Sequence, residues 1–168
     1  MELANIALGV MGLLLFLTAL KTAKVAAALW LALTYPNFNE RMCGIYESRP
    51  RTCFLVGFID AVLTVLVILI LFKVQIVAGL GLLLMLFFIS VCTLAYGPAY
   101  HRMGRRLTNG ADAGEVRMLL YGGLHAELIY WAPVIGQLLF LGALFQGIGA
   151  FVIATLRPRA KRAANGQD

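Results

Sequence analysis

Charge is scarce in this sequence. Lys, Arg, Asp and Glu together make up 13% of 168 residues, about half the share of an ordinary soluble domain. Histidine occurs only at His101 and His125, and cysteine only at Cys43, Cys53 and Cys92, with no CxxC pair. There is no HExxH, GxSxG, P-loop or Cys/His cluster, so neither an enzyme centre nor a metal or other cofactor is expected. The net charge of +6 could suggest nucleic acid, but the basic residues flank apolar runs with no aromatic stacking surface interleaved, and no nucleic-acid partner is expected. A basic patch before the first apolar run and a small-x-small site after it are also missing, so that segment is expected to stay attached.

Long apolar runs take the place of charge. Hydrophobic residues reach 61% and the mean hydropathy is +0.87. Crossing a hydrocarbon layer takes about 20 helical residues, and several runs qualify. The expected fold is an all-α integral membrane protein: a single domain over residues 1–156, a bundle of about four transmembrane helices with an interfacial or re-entrant segment before the last, and a basic tail over 157–168. An inner-membrane, multi-pass placement follows as the expectation.

The first run, from Leu3, meets Lys21 and Lys24 and continues to Tyr35 before Pro36. As one helix it would be about 50 Å long, more than a bilayer needs. A span ending at the lysines is therefore expected, then an interfacial helix with Trp30 and Tyr35 at headgroup level. The stretch from Asn37 to Thr52 reads as a polar surface loop. Phe54–Phe72 and Val77–Tyr96 read as a tight antiparallel hairpin across residues 73–76, ended by Gly97 and Pro98. A second polar loop follows from Ala99 to Arg117, with the turn signal Asn109-Gly110. The last 39 apolar residues, Met118 to Leu156, are again too long for one crossing, and Pro133 divides them into a short piece to Ala132 and a full span from Val134 to Thr155.

The two loops carry Arg41, Arg49, Arg51, Arg102, Arg105, Arg106 and Arg117, and Lys21 and Lys24 join them, whereas the other side has Lys73. The positive-inside rule places the loops in the cytoplasm. Of these, Lys21, Lys24, Arg49, Arg51, Arg102, Arg105 and Arg106 are the candidates for lipid headgroups. Charge would put the tail (Arg157, Arg159, Lys161, Arg162) on the same side. Length favours the far side, so the two criteria leave the side of the tail open, with a lean towards the far side. Cys43 and Cys53 could bridge if their loop faced an oxidising compartment; otherwise they are small apolar residues.

Two constellations stand out. Gly136, Ala143, Gly147, Ala150 and Ala154 line one face of the last span, allowing another helix to approach closely, either within the chain or in a second subunit; Gly9 and Gly12 offer a possible partner surface. Asp60, His125, Glu127 and Gln137 are polar groups at membrane depth, where ionisable side chains are costly and need partners. They could share a pocket, as an ion or substrate site or as buried pairs that fix helix register.

From Arg49 to Ala154 the pattern resembles the multi-span domain of bacterial membrane-bound bactofilin-type (polymer-forming cytoskeletal) proteins. The matching positions are Arg49-Pro50, Gly57, the compact hairpin, Gly104, Pro133, Gly136, Gly147, Gly149 and Ala150. The resemblance implies a shared membrane fold in a stand-alone module, since no polymerising β-repeat precedes the first span. The function expected is a non-enzymatic scaffold or accessory subunit contacting lipids and other membrane subunits or itself. The alternative is a small oligomeric transporter or channel using Asp60, His125 and Glu127. A lipid-directed enzyme would need more clustered acids and histidines than His101, His125 and Glu127 supply.

Overall fold

Proline sets where several helices begin. Its fixed φ and missing donor suit a first helical turn and no other part of a helix, and Pro36, Pro50 and Pro98 each lie in the first turn of one. In the computed structural model, which describes residues 2–74, 78–108 and 114–156, these and other breaks give seven helices: α1 (Glu2–Thr34), α2 (Pro36–Ser48), α3 (Pro50–Lys73), α4 (Ala78–Leu94), α5 (Gly97–Leu107), α6 (Glu115–Ile129) and α7 (Ile135–Leu156). No strand occurs among the described residues. Three helical stretches there are long and apolar enough to cross a membrane: Pro50–Lys73, Gly79–Leu107 and Ile135–Leu156.

Both expected surface loops are largely helical. In α2 the buried residues are Asn39, Met42, Cys43 and Tyr46, spaced at i, i+3, i+4 and i+7, so a polar-looking stretch has one face to bury. In α5, Gly97, Pro98, Tyr100 and Gly104 are buried, Arg102 is half-buried, and Arg105 and Arg106 are exposed. Cys43 and Cys53 are buried free thiols, not a bridge, and Cys53 donates to the Ile45 carbonyl at 3.6 Å. The turn at residues 75–77, the Asn109-Gly110 signal and the basic tail lie outside the described residues.

One end of the bundle is organised on α2. Arg41 donates to the Ala154 carbonyl at 3.3 Å, one of the last-turn carbonyls that a helix leaves unpaired. Asn39 donates to Glu115 at 2.8 Å, and Arg105 pairs with Glu47 at 2.8 Å. The start of α6 and the ends of α5 and α7 therefore meet α2, and α3 departs from the same place after Arg49. α6 runs away from α2 and α7 comes back to it, so α7 ends beside the arginine-rich elements. At 1.5 Å per residue α6 is about 22 Å long and α3 about 36 Å. The reversal at Tyr130–Val134 strains the backbone at Val134, a β-branched residue with φ of 66°.

Helices approach closely where glycine allows. A Cβ on Gly57 would overlap the Phe145 carbonyl, and one on Gly149 the Cys53 carbonyl, which locks α3 antiparallel against α7. Gly147 meets the Ala95 carbonyl, while Gly104 and Gly122 meet the carbonyls of Met118 and Tyr100 between α5 and α6. The α7 stripe is thus used inside the chain: Gly136, Gly147, Ala150 and Ala154 are buried and Ala143 half-buried. α3 packs against α4, its expected hairpin partner, and more extensively against α7.

Candidate functional site: a carboxylate held by two lysines

The first helix decides the site. It does not break at its lysines; α1 runs unbroken from Glu2 to Thr34, and Lys21 and Lys24, three residues apart, share a face that lies along α6. Val25 packs on Gly123, where a Cβ would come within 2.9 Å of its methyl group. This puts both ammonium groups on Glu127, a carboxylate only 7% exposed.

Glu127 Oε1 accepts from the Lys24 ammonium at 2.8 Å and from the Tyr100 hydroxyl at 2.5 Å. Lys21 stands 3.4 Å from Oε2 as an ion pair and donates to the Glu127 backbone carbonyl at 3.2 Å. Aromatic rings close the rest. Lys24 lies 4.8 Å from the Tyr96 ring centroid and 4.9 Å from that of Phe140, and Lys21 lies 4.5 Å from that of Trp131, all within cation–π range. Tyr96 stacks on Phe140 at 5.0 Å and on Tyr100 at 6.0 Å, so the Lys24–Glu127 pair sits in an aromatic box. Phe140 is fourteen residues before Ala154, about 21 Å along α7 from the α2 end. A groove of about 690 Å³ between α1 and α6 opens beside Lys21, Glu127 and Trp131.

The charges do not cancel, since two cations face one anion. Lys24 is nearly covered and Lys21 less so, at 12% and 23% side-chain exposure. Buried pairs of this kind are structurally demanding, because removing one partner leaves the other charge uncompensated.

The other polar groups expected in a shared pocket are elsewhere. Asp60 lies on α3 near Cys92. The His125 Nδ1–H donates to the Tyr121 carbonyl of its own helix at 2.8 Å, and Gln137 is exposed at the start of α7. Of the headgroup candidates, Arg49, Arg51, Arg105 and Arg106 are exposed and Arg102 half-buried, whereas Lys21 and Lys24 turn inward to Glu127. Sequence reasoning missed Tyr96, Tyr100, Phe140 and Trp131 as parts of this site; the i, i+3 lysines within an otherwise continuous helical pattern were the signal for their shared face. No group of three or more His, Cys, Asp or Glu side chains suited to a metal occurs among the described residues. Comparison with known protein families, curated proteins and solved structures gives no match, so the site is read from its own geometry.

Proposed function

We propose that the chain is a multi-pass membrane scaffold or accessory subunit, non-enzymatic, that contributes a helix to a larger assembly in the inner membrane of a bacterial cell. α1, α3 and the α4–α5 pair are the crossing elements, and α6 and α7 form a re-entrant pair whose turn stays within the apolar layer. The observation that carries the reading is the first half of α1. Beyond Lys21 the helix continues toward Glu2 for about another 28 Å. Met11, Leu13, Leu15 and Phe16 there are exposed, and Gly9 and Gly12 have no neighbour within 4 Å of where a Cβ would sit. Small residues on an apolar helix let another helix come close, and close packing drives association in lipid. Four of the glycines on which the resemblance to bactofilin-type membrane domains rests (Gly57, Gly104, Gly147 and Gly149) fall where helices of this chain touch, which supports a packing module more than an activity.

The transporter or channel reading needs Asp60, His125 and Glu127 on one path. The separate surroundings of Asp60 and His125, and the aromatic enclosure of Glu127, weigh against it. Extraction in a mild detergent followed by native mass spectrometry tests the proposal. A stoichiometric second membrane chain or second copy, lost when Gly12→Trp blocks the helix face, is the expected result. A monomer that carries solute flux in reconstituted vesicles, abolished by Asp60→Asn and Glu127→Gln, would overturn it.

A further inference from the structure

Arg102 and Arg106 lie one turn apart on α5, so they share a face and repel each other. Their neighbour Arg105 is taken by Glu47, but neither Arg102 nor Arg106 has an acidic partner among the described residues. Both line the same cavity of about 370 Å³, formed where α5 and α6 part from α7. Tyr46 and Gln146 complete its polar rim, and Ile129, Leu138, Leu139 and Ala143 form apolar walls that run toward the α6–α7 reversal. From Gln146 to Leu138 the wall extends about 12 Å along α7. The arginines belong to the α2 end of the bundle, which carries most of the basic residues and which the positive-inside rule assigns to the cytoplasmic surface. A basic rim at headgroup level over an apolar cleft between helices is the geometry that takes an anionic lipid.

We propose that this cleft holds one anionic phospholipid of the surrounding bilayer, its phosphate bridging Arg102 and Arg106 and an acyl chain lying between α6 and α7. The phosphate would relieve the repulsion between two unpaired guanidinium groups, and the chain would cover walls that the protein leaves open. The site rests on the bilayer placement proposed above but not on any partner of α1.

Native mass spectrometry of the full chain from micelles doped with phosphatidylglycerol or phosphatidylcholine tests it. One phosphatidylglycerol is expected to be retained in preference to phosphatidylcholine. Neutralising both arginines (Arg102→Gln with Arg106→Gln) should weaken retention about thirtyfold, roughly fivefold for each charge. Arg105→Gln should change it by less than about twofold, since that charge is already paired. Gly142 lines the cleft and has open space where a Cβ would sit, so Gly142→Leu should plug the cleft and release the lipid with every charge intact. Equal retention of the two lipids, unchanged retention in the double variant, or unchanged retention after Gly142→Leu would each overturn the site. Recovery of the chain as a monodisperse species without detergent would instead remove the bilayer placement itself.

Discussion

Replacing Glu127 with glutamine keeps the size of the side chain and most of its hydrogen-bonding capacity but removes its charge. In the folded protein that carboxylate faces two ammonium groups at 2.8 and 3.4 Å and a tyrosine hydroxyl, and it is only 7% exposed. Removing one member of a buried pair costs about 3–5 kcal/mol, because the surviving charge keeps its desolvation penalty and loses its counter-charge. Two considerations place Glu127→Gln within this range and not above it. The Tyr96 and Phe140 faces retain some attraction for Lys24, about 1–2 kcal/mol, and Lys21 is the more exposed lysine and can turn toward the groove. Lys24→Met should cost less, about 1–3 kcal/mol, since Glu127 keeps Lys21 and the apolar methionine suits the aromatic box. In the Lys24→Met background the further cost of Glu127→Gln should fall to about 1 kcal/mol, leaving a coupling of at least about 2 kcal/mol between the two positions. Unfolding by SDS in mixed micelles, followed by circular dichroism and by the fluorescence of Trp131 against the Lys21 ammonium, measures all four corners of the cycle. A Glu127→Gln cost below about 0.5 kcal/mol, or additive single substitutions, would show that the cluster is a solvated surface group and refute the reasoning.

Gly149→Ala should destabilise the α3–α7 pair by about 3 kcal/mol or more, because the methyl group overlaps the Cys53 carbonyl and only backbone movement can relieve it; Gly142→Ala, with open space around it, should stay within about 0.5 kcal/mol in the same SDS assay. Val134→Gly should raise stability by about 1 kcal/mol by relieving the left-handed backbone at the α6–α7 reversal, read as a higher SDS midpoint. Burial, with a smaller contribution from the Glu47 and Glu115 carboxylates, pushes the Cys43 thiol up to about 12. Its folded pKa exceeds the unfolded value, so its stabilising effect is whole below about pH 9 and is lost as pH rises toward 12. Maleimide at pH 7.5 should leave Cys43 unmodified in the folded protein and modify it after SDS unfolding.

The apolar runs declared the long helices, and the breaks read at Pro36, Gly97-Pro98 and Pro133 all fall between helices or in their first turns. What the sequence did not declare was the content of the polar stretches. α2 and α5 are short and charged, and their buried faces of Asn39, Met42, Cys43 and Tyr46, or of Tyr100 and Gly104, become visible only when α7 and α6 are there to receive them. The reading of Lys21 and Lys24 as snorkelling side chains failed for a related reason. An interfacial placement and an ion pair with a carboxylate more than a hundred residues away leave the same local pattern. The small-residue stripe of α7 was legible as a packing face, but its partner was not, since Gly57 and Cys53 on α3 signal no affinity for Phe145 or Gly149. α7 ends beside α2 because α6 is short and the chain turns back near Pro133; the charge count had favoured such a return and the residue count had not.

That return is the feature on which the buried lysine–glutamate cluster and the lipid cleft both depend. It is tested most directly by sidedness. With the native cysteines at 43 and 53 buried and that at 92 half-buried, single reporter cysteines introduced at exposed Ser48 on α2 and Thr155 on α7 can be probed with a membrane-impermeant maleimide in sealed vesicles of known orientation. Ser48→Cys and Thr155→Cys should be labelled from the same side. Labelling from opposite sides would mean that α6 and α7 together cross the membrane once, and would contradict the architecture.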